Sequence, residues 1–226
     1  MPTMCRRYRI INPDAAYLLA LQIADDDMLR NIEANEAIFS PAEMPVIHNT
    51  DRGRTLARMR WGVERADLPE TKPHQLVVNA RDDKLAGRMW KGPVQSARCV
   101  IPADGFFEWD GPDGSKWPVA LSRIDDRPFF FAGVIVPDRR SLTAAGFAIV
   151  TTVPNALVTP LQDRMPVMLD LEMARAWMIK GPLAQERLVE FCRPYPAEQM
   201  KRKDYPVPVR TKKAAPAPAQ IQPELF

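Results

Sequence analysis

Short apolar runs broken by turn residues dominate the chain, and longer amphipathic repeats occur in only a few places. "AEMPVIHNT" and "TLARMRWGV" are strand-length runs on either side of the polar stretch "NTDRGR", which predicts a β-hairpin. "LVVNAR" is an apolar run that turns polar at its end, as a strand running into a site would. Between "RCVIPADGFFEWD" and "FFFAGVIVPDRR" strand-like segments are punctuated by the turn signals "DG", "GPDGS", "IDDRP" and "PDRR". "GFAIVTT" predicts one more strand.

Helical spacing is rarer. "NPDAAYLLALQIADDDMLRNIEAN" predicts a helix capped by Asn12, with Pro13 in the first turn and Tyr17, Leu18 and Leu21 on one face. "GRMWKGPVQSA" predicts a short helix that its Gly and Pro end. "DLEMARAWMI" places Leu171, Ala174, Trp177 and Met178 on one side, and "PLAQERLVEFC" predicts a further helix. "YPVPV" reads as extended. Strands and helices neither alternate nor repeat, which predicts one α+β domain over residues 1–209 with a mostly antiparallel sheet. Residues 210–226, "TKKAAPAPAQIQPELF" with the Arg before it, are Pro/Ala-rich and predict a flexible tail.

Composition changes this picture little. A chain of 226 residues fits one large domain or two small ones and buries a core without disulfides. Its 46% hydrophobic and 26% charged residues are ordinary for a soluble globular protein. A net charge of +3 permits nucleic-acid binding without diagnosing it, although the cations cluster in "RTLARMRWG" and "KRKDYPVPVRTKK". Cys5, Cys99 and Cys192 form no Cys-x-x-Cys pair, which argues against structural zinc and fits a reducing compartment. The first residues are polar and basic, and no window approaches the roughly 18 apolar residues of a membrane span. The expectation is a cytoplasmic protein, nucleoid-associated when bound to DNA, with no membrane contact, and a monomer.

The candidate chemistry is sparse. His48 and His74 are the two histidines, and surface or structural roles suit both. There is no phosphate-binding Gly-rich loop and no cluster with metal-ligand spacing, so neither a cofactor nor a metal is expected. Glu108 stands among Phe106, Phe107 and Trp109, where desolvation would raise its pKa and suit it to moving protons. An outward-facing strand glutamate is the plainer alternative. Asn79 and Arg81 stand at i and i+2, so on a strand an amide and a guanidinium would share a face and meet one ligand.

Read in order, Met-Cys near the start, "RWG", "NAR", "GRMW", "CVIPADGFFEW" and "DRMPVML" resemble the SOS-response-associated peptidase (SRAP) family from about Met4 to Val209. The resemblance implies a curved, barrel-like, mostly antiparallel sheet flanked by helices, a positively charged channel, and covalent capture of abasic sites in single-stranded DNA. It makes Cys5 the nucleophile. The α-amine of an N-terminal cysteine condenses with the aldehyde of the opened sugar, and its thiol closes a thiazolidine ring, an intramolecular second step. Asn79 would orient the cysteine or the sugar, and Glu108 would handle protons. Arg81 and Arg88 would contact flanking phosphates, with Arg7 a further candidate. Pro41 in "FSPAE" resembles a proline near the nucleophile, although Phe39-Ser40 replaces the preceding Asn-Ala. Trp61 and Met89 would pack beside the lesion where a base is missing, unless core packing takes them.

Three departures from the pattern matter. Gln162 stands where a histidine usually precedes "DRMP", and an amide cannot transfer protons at neutral pH. Arg6 replaces a Gly after the cysteine. "VERADLPETKP" lacks the usual Pro-x-Trp element. Capture is expected to persist and its reversal to be impaired. The start "MPTMCRRYRI" adds a condition: Cys5 offers an α-amine only if translation begins at Met4 with methionine removal, or if the chain cleaves itself after Met4. Two other functions fit the same residues: a thiol peptidase or N-terminal-nucleophile hydrolase acting on its own leader, and a non-catalytic single-stranded-DNA-binding protein.

Overall fold

The computed structural model describes residues 7–11, 21, 32–64, 76–112, 115–137 and 145–205. Most of the helix expected over residues 12–35 lies outside these, as do "PVPV" after Tyr205 and the whole 210–226 tail.

The chain order is β1 (Arg7–Ile10), β2 (Asn35–Phe39), β3 (Glu43–Thr50), β4 (Gly53–Trp61), β5 (Val63–Glu64), β6 (Leu76–Val77), β7 (Asn79–Arg81), β8 (Arg98–Ala103), β9 (Gly105–Asp110), β10 (Trp117–Arg123), β11 (Phe129–Pro137), β12 (Ala145–Thr152), β13 (Met165–Pro166), β14 (Met168–Leu169) and β15 (Met200–Asp204). Short helices cover Lys91–Ser96, Leu171–Trp177 and Gln185–Phe191. The architecture is the expected α+β class, strongly weighted to β.

Five strands close on themselves in the order β12-β4-β3-β8-β11 and back to β12, a small barrel. The hairpin β3–β4 forms as its pattern predicts, with Val46 opposite Ala57. All six residues of β8 are buried, as are the first seven of β11, so beyond Arg98 these strands are apolar on both faces. Closure removes exposed strand edges. It depends on a parallel contact, with Gly146 of β12 opposite Arg60 of β4. A side chain at Gly146 would collide with the Gly62 carbonyl, so the backbones meet there because this position is glycine.

The second sheet, β15-β10-β9-β1-β2, lies against the barrel. The join is aromatic: the Tyr8 ring meets Trp61 at 5.2 Å and Phe131 at 5.6 Å, both edge-on, and Phe106 meets Phe131 at 6.3 Å.

Helix Leu171–Trp177 is capped by the Asp170 carboxylate, which accepts from Met173 N. Its Trp177 Nε1 donates to Cys99 O at 3.0 Å, fixing it on β8. Helix Lys91–Ser96 corrects the sequence expectation: Gly92 and Pro93 stand in its first turn and do not end it. First-turn N–H groups have no intrahelical acceptor, so proline loses nothing there. Arg98 caps both helices. Its buried guanidinium donates to Val94 O at 2.7 Å and Trp177 O at 2.6 Å, and to the Ile179 and Gly181 carbonyls, which compensates its desolvation.

Candidate functional site

Asn79 and Arg81 lie on β7, a three-residue strand paired in parallel with β12: Asn79 is opposite Ile149 and Arg81 opposite Thr151. Strand alternation places the Asn79 and Arg81 side chains on one face, as expected. Asn79 is buried and Arg81 exposed. The Arg81 guanidinium makes two hydrogen bonds of 3.0 Å to Asp83, which push its pKa up and keep it cationic. A pair this exposed contributes little to stability.

The segment holding Gln162 is tied to β7 by Arg164. Its buried guanidinium pairs with Asp82 Oδ1 and donates to Thr151 O at 2.6 Å. The Thr152 hydroxyl donates to Asp82 Oδ2 at 2.9 Å, with Cys192 O also in reach. Asp82 directly follows "NAR" and Arg164 lies inside "DRMP", so two distant motifs meet in one half-buried ion pair. Gln162 itself is 8% exposed, its Oε1 accepting from Asp163 N at 3.1 Å and its own N–H donating to Val158 O. Sequence reading missed Arg164, Asp82, Thr151 and Thr152. The only signal was that charged residues recur in both motifs.

Glu108 stands on β9 opposite Val119, 2% exposed, so its carboxyl is withdrawn from solvent and does not face outward. β9 pairs with β1, Phe106 opposite Tyr8. Tyr8 touches Trp61, whose Nε1 donates to Val78 O at 2.9 Å, one residue before Asn79. One chain of contacts thus links the strand that follows Cys5, the strand of Glu108 and the strand of Asn79. Trp61 has no exposed surface; of the two roles open to it, core packing is the one it fills.

The other candidates are dispersed. Arg88 is exposed and Met89 half-buried in the turn before helix Lys91–Ser96. Pro41 is exposed after a cis Ser40–Pro41 bond, beside Ser40, whose hydroxyl donates to Trp61 O at 2.8 Å. Arg7 is 5% exposed, its guanidinium 4.0 Å from the Phe107 ring centre. Cys5 and His74 lie outside the described residues.

The described thiols are poor nucleophiles. Burial pushes the pKa of Cys99 up strongly and that of Cys192 up to about 12. His48 is the cross-strand neighbour of Cys99, yet burial lowers the pKa of His48 and Cys99 has no exposed surface. That pair does not form a papain-like site. A cleft of about 280 Å³ near His48, Met59 and Ile135 offers little free polarity, since its Arg98 and Gln95 are bonded to carbonyls. Among the described residues no group of three His, Cys, Asp or Glu side chains could hold a metal, and no helix is long and apolar enough to cross a membrane.

The family model for "SOS response associated peptidase (SRAP)" matches residues 4–213. The chain belongs to the SRAP family. Its SRAP relatives include "Abasic site processing protein YoqW" of Bacillus subtilis, 31% identical over 68% of this chain and 70% of that one. "Abasic site processing protein YedK" of Escherichia coli is 37% identical over 52% and 55% of the two chains. Among solved structures, a Bacteroides thetaiotaomicron protein superposes with a TM-score of 0.74 at 20% identity, covering 88% of this chain and 91% of that one. A phage-related protein of Bordetella bronchiseptica gives 0.67 at 26% identity, over 89% and 94%. The first of these speaks to the SRAP fold alone.

Proposed function

We propose that this protein responds to DNA damage by binding abasic sites in single-stranded DNA and capturing them covalently through Cys5. The observation that carries the reading is the Arg164–Asp82 pair, which gathers "NAR" and "DRMP" at one place. Relatives named abasic site processing proteins support the substrate.

The chemistry balances without a cofactor. The lesion's sugar opens to an aldehyde, the neutral α-amine of Cys5 adds to it, and loss of one water leaves an imine. The Cys5 thiolate then attacks the imine carbon, and the nitrogen takes a proton to complete the thiazolidine. An α-amine with a pKa near ~8 has a usable neutral fraction at pH 7. Glu108, withdrawn from water on β9, shuttles the protons. Asn79 orients the sugar. Arg81 and Arg88 hold the flanking phosphates, Arg81 by exchanging Asp83 for a phosphate oxygen, and binding weakens with salt. The family match beginning at residue 4 supports Cys5 as the working N-terminus.

The test is a denaturing gel of wild type and Cys5→Ala with single-stranded DNA bearing an abasic site. A shifted band that requires Cys5 is expected. Salt-sensitive binding with no covalent band would favour the binding-only alternative, which Gln162 in the histidine position keeps in play. Cys5-dependent peptide cleavage would favour the peptidase. Intact mass from the native host should show a chain beginning at Cys5; Pro2 as its sole start would sink the crosslink.

A further inference from the structure

Arg7 lies two residues after Cys5 and is the first residue of β1. It is 5% exposed. Its guanidinium carbon sits 4.0 Å from the Phe107 ring centre, 5.2 Å from that of Tyr205 and 5.3 Å from that of Phe39. Phe107 belongs to β9, Phe39 to β2, and Tyr205 follows β15. Tyr205 is itself braced: its ring meets Phe107 edge-on at 4.8 Å, and its hydroxyl donates to Glu36 at 2.8 Å. One cation therefore grips three segments at the end of β1 nearest Cys5.

A guanidinium held over an aromatic ring gains cation–π attraction and packing together, and little of this one remains open for a phosphate. β1 has four residues, and at its Arg7 end the ladder pairs Arg7 with Phe39 of β2, while the pairing with β9 starts at Tyr8, so the side-chain cage adds to a ladder that is one-sided there. We propose that Arg7 is a positioning residue for the Cys5 reaction: held in the Phe107, Tyr205 and Phe39 cage, it fixes the start of β1, the strand that follows Cys5 in sequence, so that Cys5 meets the lesion in one reproducible geometry. It does not contribute a phosphate contact. The inference rests on the crosslinking role proposed for Cys5.

The grip acts on rate and not on affinity. Misplacing a reacting group by about 1 Å costs up to roughly 100-fold in rate, because the advantage of an intramolecular reaction lies in its geometry. A phosphate contact behaves differently: its loss weakens binding and lowers the salt slope by about 1.

The experiment uses the full chain with single-stranded DNA carrying one abasic site. The single-turnover crosslinking rate at saturating DNA is measured for wild type, Arg7→Met and Arg7→Lys. Affinity and its salt dependence are measured for Arg7→Met in a Cys5→Ala background. Arg7→Met is expected to slow crosslinking at least about tenfold, with affinity and salt slope unchanged, and Arg7→Lys to recover part of the rate. A rate equal to wild type overturns the inference, and so does weaker binding with a lower salt slope at an unchanged saturated rate. Should Arg7→Met fail to fold, Tyr205→Leu and Tyr205→Phe decide it: slowing by the first alone supports the cage, and no slowing by either overturns it. A wild-type chain that forms no Cys5-dependent band refutes the crosslinking role itself; a wild-type band matched by Arg7→Met refutes the positioning role alone.

Discussion

Removing the Asp82 carboxylate should loosen both the fold and the site. Asp82→Ala leaves the Arg164 guanidinium, whose side chain is 6% exposed, with Thr151 O as its remaining described acceptor, and the Thr152 hydroxyl with Cys192 O. Breaking a fully buried ion pair costs about 3–5 kcal/mol, mostly because a charge stays buried unpaired. The Asp82 side chain is 22% exposed, so water can reach the gap, and about 2–3 kcal/mol is the better figure. For a chain of this length that corresponds to a melting temperature lower by roughly 4–12 °C. Thermal and urea unfolding of Asp82→Ala measure it. Arg164→Met combined with Asp82→Leu should recover part of the loss, since removing both partners strands no charge. Crosslinking by Asp82→Ala, assayed below its melting transition, should also slow, because Asn79 and Gln162 lose their common tie. A stability within about 0.5 kcal/mol of wild type would refute the pair as the joint between the two motifs, and a double variant no better than Asp82→Ala would refute its physical cause.

Three further outcomes are expected. Gln162→His should speed release of captured DNA by restoring a group that titrates near neutrality; unchanged release would contradict the role given to that position. A thiol reagent at mildly alkaline pH should label native wild type once and native Cys5→Ala scarcely at all, with Cys99 and Cys192 reacting only after denaturation, whereas rapid labelling of native Cys5→Ala would show that the buried thiols open readily. Asp125, held far below the usual carboxylate range chiefly by its hydrogen bonds from Arg123, stabilises the fold above the unfolded pKa of about 3.9, and that contribution is lost as pH falls through the lower folded value; Asp125→Asn should therefore flatten the acid limb of the stability profile, and an unchanged limb would count against it.

What the sequence by itself determined was local. Alternation and turn residues announced the β3–β4 hairpin and β12, the apolar spacing of "DLEMARAWMI" announced its helix, and i, i+2 spacing put Asn79 and Arg81 on one face. These follow from backbone period and turn chemistry within a few residues, so no partner strand had to be known. For Glu108 the sequence left two readings open, desolvated among its apolar neighbours or facing outward, and the fold decides for burial. Tertiary structure alone decided how the pieces meet. Barrel closure needed β12 to pair in parallel with β4 and antiparallel with β11, and nothing in a strand's own pattern names its partner. Arg164 and Asp82 are 82 positions apart, and each in isolation reads as a solvated charge. Arg7 read as a candidate phosphate contact just after the nucleophile, while in the fold Phe39, Phe107 and Tyr205 converge on it from three distant segments. Charged side chains are long and polar at one end only, so their roles are set by what folds around them, and that information is non-local by nature.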